Sequence, residues 1–263
     1  MKPLITLLTD FGIQDPYVAE MKAVILSICP DADFVDITHQ IAKFNIRMGA
    51  FTLATAAPYF PPRTIHLAVV DPGVGSSRQP IVIETKRSLY VGPDNGLLVP
   101  AASAEEILHV YELTNRSLMG NPISSTFHGR DVFSPLAANL ALGLRPKEAG
   151  REIMDYVELS FVNAKYDNRG FVCEVLHIDG FGNIVTNINQ KELSRLEGHA
   201  IIVMRIDGER FPAKVVRTFS KLKGRELGVL IGSHGFLEIV SREASAADKL
   251  GVKIGDALRV AGA

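Results

Sequence analysis

The hydrophobic pattern of this chain changes its period near residue 165, and that change constrains the fold more than any other feature. Before it, short apolar runs alternate with stretches of helical spacing. Residues 4–8 read as a strand ending at Thr9-Asp10-Phe11-Gly12. Residues 16–28 read as a helix with Val18, Met21, Val24, Ile25 and Ile28 on one face. A strand follows at 34–37, then a helix at 45–56 with Asn45 as its cap. Residues 65–70 form an apolar run bounded by Asp71-Pro72-Gly73, and 131–142 read as a helix stopped by Gly143. This alternation predicts an α/β domain over 1–165, with a mostly parallel sheet covered on both faces. After it come short β-rich runs at 172–178, 184–188, 201–206, 229–231, 237–240 and 257–260, separated by Gly, Asn and Asp. They predict a smaller β-rich domain over 170–263, a barrel or a sandwich. Asn163, Lys165, Asp167, Asn168, Arg169 and Gly170 read as a solvated linker.

Composition narrows the function classes. The formal net charge of −1 offers no basic stripe for nucleic acid. No run reaches the ~20 apolar residues of a membrane span. Asp10 cuts off the apolar run at 4–8, which reads as a first strand and not a signal peptide. Cys29 and Cys173 fit no metal spacing and read as reduced and packed, so a cytoplasmic protein is expected.

In a parallel α/β sheet, ligands bind beyond the carboxyl ends of the strands. Two polar clusters fall there. Asp10, in the first, is either a turn cap or an acceptor for ribose hydroxyls. The second, Asp71-Pro72-Gly73-Val74-Gly75-Ser76-Ser77-Arg78, lacks both the Gly-Lys-Ser/Thr end of a phosphate loop and the dinucleotide glycine spacing. A glycine-rich turn with Asp71 as cap is the plain alternative. His128 lies in Ser125-Thr126-Phe127-His128-Gly129-Arg130-Asp131, just before a helix start, where charged ligands are favoured. Arg130 and Asp131 can equally pair with each other. Phe181-Gly182-Asn183, after Asp179, also reads as a hairpin turn. Ser233-His234-Gly235 with Glu238 also reads as a turn and an exposed strand face, and Phe44 as core.

One resemblance ties these positions together. Leu8-Thr9-Asp10-Phe11-Gly12, Val70-Asp71-Pro72-Gly73-Val74-Gly75, Gly92-Pro93-Asp94-Asn95-Gly96-Leu97-Leu98, Thr126-Phe127-His128-Gly129-Arg130-Asp131, Asp179-Gly180-Phe181-Gly182-Asn183-Ile184 and the tail at 233–245 occur in order along nearly the whole chain. In this the sequence resembles the S-adenosylmethionine hydroxide adenosyltransferase family, which is related to fluorinating and chlorinating enzymes. The resemblance implies an α/β domain followed by a β-rich domain. It also implies hydrolysis of S-adenosyl-L-methionine to adenosine and L-methionine, with no cofactor and no metal. It places Asp71, Arg78 and His128 around the attacking water, and Asp10 on the ribose. Asn183, Ser233 and Glu238 match contacts to adenosine or the methionine moiety, Asp179 and Ser241 join them as substrate-contacting positions, and Phe44 lines the pocket. It further implies a homotrimer, each site lying between the N-terminal domain of one subunit and the C-terminal domain of the next.

The chemistry suits these residues. A sulfonium leaves as a neutral thioether, so neither acid nor metal is needed to expel it. A weak nucleophile must instead be oriented and deprotonated. The halogenating relatives carry Tyr-Ser in place of His128-Gly129 and Tyr in place of Asp71, and an anionic Asp71 repels halide. Three competing readings remain: a protein that binds S-adenosylmethionine or adenosine with negligible turnover, halide-dependent adenosyl transfer, and a metal-dependent phosphatase using Asp10, Asp71 and Asp131.

Overall fold

The computed structural model describes residues 2–161, 164–193, 201–205 and 208–262. It comprises two compact units, Met1–Ser160 and Phe161–Ala263.

The first unit runs β1 (Leu4–Thr9), α1 (Tyr17–Ile28), β2 (Asp33–Thr38), α2 (Ile46–Ala56), β3 (Ile65–Val69), β4 (Pro80–Thr85), β5 (Leu89–Pro93), α3 (Val99–Ala104), β6 (Ile107–Leu113), α4 (Ser134–Ala141) and β7 (Gly150–Glu152). The seven strands are ordered β2-β1-β3-β5-β4-β6-β7. The expected parallel sheet is its first half, in which β2, β1, β3 and β5 pair in parallel. The pairings through β4, β6 and β7 are antiparallel. The cause is local: only residues 86–88 link β4 to β5, too short for a crossover, so the two form a hairpin.

Alternation along each strand splits the apolar residues between two faces. On one, Met21 and Ile25 of α1 and Leu136 and Leu140 of α4 pack with Ile5, Leu7, Leu67 and Val69. On the other, α2 packs with α3, and Gly49 of α2 lies against Leu8 and Val70. The Asn45 cap is present: its side chain accepts the Met48 N–H at 2.9 Å.

The helix expected over 131–142 departs from expectation at its start. A π-helical turn, Gly129–Phe133, precedes α4. Pro135 has no N–H to offer the Asp131 carbonyl, which takes the Gly120 N–H at 2.7 Å instead. Gly143, at φ 98°, ends the helix as expected.

The second unit contains β8 (Lys165–Asp167), β9 (Gly170–Ile178), β10 (Ile184–Asn189), α5 (Gln190–Leu193), β11 (Ile201–Arg205), β12 (Arg210–Val215), β13 (Leu227–Ile231), β14 (Phe236–Ser241), α6 (Ala246–Leu250) and β15 (Ala257–Gly262). Pairing follows β10-β14-β13-β12-β11-β15-β9, and β9 also pairs with β10. The ring therefore closes into a barrel, which removes free strand edges, and β8 folds back on β9 as a flap. Phe171, Cys173 and Val175 of β9 face inward with Val229, Leu237, Ile239, Leu258 and Val260. Sequence periodicity misses β12 because Pro212, opposite Ile202, breaks its pattern. Two expected residues, Asn163 of the linker and Ile206 of the strand at 201–206, lie outside the described residues. Among the described residues no helix is long and apolar enough to cross a membrane.

His66 of β3 lies within the first unit with no exposed surface, bonded through Nδ1 to Thr6 Oγ1 at 2.8 Å and stacked on Tyr90. Burial, then the charge of Arg87, carries its pKa down to about 4. The unfolded chain binds this proton near pH 6.5, so between about 4 and 6.5 the unfolded state holds more protons. Stability from His66 is complete above that window and falls as the pH drops through it, by on the order of 3 kcal/mol. Denaturant unfolding of the first unit at pH 7.5 and pH 4.5 should show this loss, and His66→Gln should flatten it. An unchanged slope in the variant contradicts the assignment.

Candidate active site

The carboxyl ends of β2, β1, β3 and β5 share one edge of the sheet, followed by His39, Asp10, Asp71 and Asp94-Asn95. The chain leaves β1 for β2 on one side and returns to β3 on the other. Asp10 and Asp71 therefore flank a topological switch point, the usual ligand crevice of such sheets.

Asp10 is buried, and its Oδ2 accepts the Phe44 N–H at 2.8 Å. Lys43 Nζ donates to the Asp10 carbonyl at 2.5 Å. Phe44 takes a left-handed conformation, φ 65°, and the residue is 69% exposed, so it is not the core residue its type suggests. Sequence reading missed the brace beneath this turn. Thr9 Oγ1 meets His39 Nδ1 at 2.9 Å, His39 Nε2 faces Asp36 Oδ1 at 3.2 Å, and Lys22 donates to Asp36 Oδ2 at 2.7 Å. Thr9 has no exposed surface and its hydroxyl accepts the Phe11 N–H at 3.1 Å, so this Thr-His-Asp row holds the turn and offers no nucleophile.

The structure brings Asp71, Arg78 and His128 together. Arg78 Nε and Nη2 donate to Asp71 Oδ1 and Oδ2 at 3.1 and 2.5 Å. Nη2 also reaches His128 Nδ1 at 3.0 Å. A guanidinium has donors only, so His128 Nδ1 is the acceptor and its proton sits on Nε2. Burial, then the charge of Arg78, holds the His128 pKa below its usual value, while Asp71 and Asp131 oppose the shift. The Asp71 and Arg78 side chains are only 5% and 7% exposed. Arg78 Nη1 is buried with no partner among the described residues.

The π-helical turn is locked from outside the trio. Arg130 pairs with both Asp131 oxygens at 2.7 and 3.0 Å and with Glu20 of α1 at 2.8 Å. Asp131 Oδ2 also accepts the Ser124 N–H at 2.8 Å. Asp10, Asp71 and Asp131 thus have N–H partners of their own, and no group of three or more His, Cys, Asp or Glu among the described residues could hold a metal.

In the second unit, Asp179–Asn183 is the hairpin turn between β9 and β10. Asp179 Oδ1 accepts the Phe181 and Asn183 N–H groups, and Oδ2 the Asn183 side-chain amide, all at 2.9 Å. Asp179 is thus the clasp that presents Asn183. Glu238 lies across Val185 from His177 on neighbouring strands. Burial, then the charge of Asp179, raises the Glu238 pKa. Ser233 adjoins His234 in an exposed turn. Ser241 stands apart: it is buried at the far end of β14, and its hydroxyl donates to the Glu226 carbonyl at 3.1 Å. The pKa of His177, a residue missed in the sequence, is lowered by burial above all, with Asp179 opposing the shift and His234 adding to it.

Family models of the SAM hydroxide adenosyltransferase N-terminal and C-terminal domains match residues 5–150 and 173–259. The chain belongs to the SAM hydroxide adenosyltransferase family. A Salinispora tropica protein named (R)-S-adenosyl-L-methionine hydrolase is 41% identical over 261 residues, 98% of this chain and 97% of that protein. A fluorinase of Nocardia brasiliensis is 26% identical over 294 residues, 98% of this chain and 97% of its own. The crystal structure of an uncharacterized conserved protein from Thermotoga maritima superimposes with a TM-score of 0.92 at 38% identity, covering 98% of this chain and 99% of that one. Of the expected site residues, Asp10, Phe44, Asp71, Arg78 and His128 fall in the N-terminal match. Asp179, Asn183, Ser233, Glu238 and Ser241 fall in the C-terminal match.

Proposed function

We propose that this chain hydrolyses S-adenosyl-L-methionine to adenosine and L-methionine, with Asp71, Arg78 and His128 around the attacking water. One observation carries the reading: a single buried guanidinium joins a carboxylate and an imidazole at the carboxyl edge of the parallel strands. The water oxygen bonds to the 5′ carbon as the carbon–sulfur bond breaks, and its electron pair passes to sulfur, leaving the neutral thioether of methionine. The water's proton leaves with adenosine formation. His128 already carries a proton on Nε2 and faces Arg78 through Nδ1, so it donates to the water and orients it. Asp71 holds two Arg78 N–H groups and has lone pairs left on both oxygens; it takes the proton. The geometry thus favours His128 as donor over His128 as proton relay. Asp10 holds the ribose beside Phe44, and Asn183, Ser233 and Glu238 supply the contacts of the second unit.

Hydrolysis in water labelled with heavy oxygen should put the label in the adenosine 5′-hydroxyl, with equal amounts of adenosine and methionine and no added metal. Asp71→Asn, Arg78→Ala and His128→Ala should each slow the chemical step by about 100-fold. His128→Gln should keep much more activity, because its amide oxygen can accept from Arg78 while its N–H donates to water. A variant as slow as His128→Ala makes His128 the base. Label absent from adenosine, a 5′-halo product at physiological salt, or binding without turnover overturns the reaction itself.

The chain works as a cytoplasmic homotrimer, each substrate taking contacts from the N-terminal domain of one subunit and the C-terminal domain of the next. The resemblance supports this, as do candidate ligand residues in both family domains. Mixing Asp10→Ala with Asn183→Ala chains after dissociation should restore part of the activity, since some sites then carry neither lesion. A fully active monomer contradicts the assembly.

A further inference from the structure

The Gly92–Leu98 stretch, one of the matched motifs, takes no part in the chemistry above. Its geometry links it to that chemistry. Val70, directly before Asp71, lies beyond the end of both neighbouring ladders: β1 pairs with β3 up to Val69, and β5 up to Leu67. Val70 has no exposed surface, so its carbonyl needs a partner within the protein. Asn95 Nδ2 supplies it at 2.9 Å. The Asn95 Oδ1 accepts the Leu97 N–H at 3.1 Å, which fixes the amide so that its N–H side faces Val70. The preceding Asp94 N–H donates at 2.9 Å to the carbonyl of Gln79, the residue after Arg78. Two consecutive residues therefore grip both ends of the 71–78 loop, one residue before Asp71 and one after Arg78. The Asp94 bond is made by backbone and suits any residue except proline. The Asn95 bond needs an amide.

We propose that Asn95 is a positioning residue for the chemical step, holding the Asp71 end of the loop so that the carboxylate stays in register with Arg78 and the water. This rests on the reading of Asp71, Arg78 and His128 as the water site. Loss of the Asn95 bond frees the Val70–Asp71 peptide to turn, and a small displacement of the proton acceptor costs rate without removing a substrate contact.

Two variants test it. Asn95→Asp keeps the acceptor for Leu97 and loses the donor to Val70; Asn95→Ser keeps a donor on a shorter arm. Single-turnover rates should fall about tenfold or more for Asn95→Asp, with Asn95→Ser between it and the parent. Adenosine affinity, read by calorimetry, should stay within about threefold. Added to Asp71→Asn, the Asn95→Asp change should slow the enzyme by less than about twofold further, because both act through one carboxylate. If Asn95→Asp does not fold, Asn95→Ser is read in the same way. Full rates in both variants, losses that multiply with Asp71→Asn, or a rate loss matched by lost adenosine affinity overturn the proposal. Full activity of Asp71→Asn alone sinks the water-site reading instead, whatever Asn95 does.

Discussion

The site depends on one buried cation. The Arg78 guanidinium is almost wholly enclosed, and a charge taken out of water must be paired and hydrogen-bonded or it costs several kcal/mol, about 3–5 when its partner is removed. Asp71 supplies the opposite charge in a two-pronged pairing, and the Phe133 ring lies 5.2 Å from the guanidinium carbon. The planar fork allows Arg78 to hold Asp71 with two nitrogens while Nη2 also serves His128; a lysine ammonium offers no such fixed geometry. The same cation dictates the state of its neighbours. It accepts nothing, so His128 must present a lone pair at Nδ1 and a proton at Nε2.

Backbone geometry makes that pairing possible. β1 and β3 are adjacent parallel strands, so their carboxyl ends deliver Asp10 and Asp71 side by side without a long loop. The 71–78 loop then needs a left-handed residue at Gly75, φ 77°, where a Cβ would stand 2.5 Å from the Ser125 carbonyl oxygen. This seats the loop against the segment that leads to His128. At Gly129 a Cβ would meet Met21 Sδ, Phe11 and Phe127 at 3.3 Å, so the start of the π-helical turn sits tight against α1 and the Thr9–Gly12 turn. The π-helical turn serves Arg78 twice: His128 stands at its entry, and Phe133 at its end lies beside the guanidinium.

What was legible in the sequence follows the range of the interactions involved. Strands and helices set by local period, such as β1, α1 and β9, read directly from residue spacing. So did the Asn45 cap and the stop at Gly143, which depend on one side chain or one dihedral. The antiparallel half of the first sheet did not, because strand order is a long-range choice that spacing does not encode. The π-helical turn was hidden too: it arises where Pro135 withholds an N–H from Asp131, and periodicity reads 131–142 as one helix. For the candidate site, residue types alone left Asp10, Asp71 and His128 open between capping and chemistry. The family resemblance grouped them, and the structure adds how they touch. Asn95 stands in a matched motif and His39 outside one, but the spacing gives neither a role, since each bonds the backbone or side chain of a residue distant in sequence. Asp179 and Ser241 show the reverse, polar residues in matched stretches whose side chains serve their own fold, as a turn clasp and as a donor to Glu226.

In the proposed mechanism Arg78 fixes His128 as a neutral donor and leaves Asp71 to take the proton. The protonation state of His128 tests it most directly. Nitrogen NMR of the histidine side chains, with His128 assigned by its loss in His128→Gln, separates a protonated ring nitrogen from a bare one. A bare Nδ1 and a protonated Nε2 are expected at pH 7, with this pattern persisting below the pH at which an ordinary histidine takes up its second proton. A proton on Nδ1, or a doubly protonated ring at neutral pH, would contradict it.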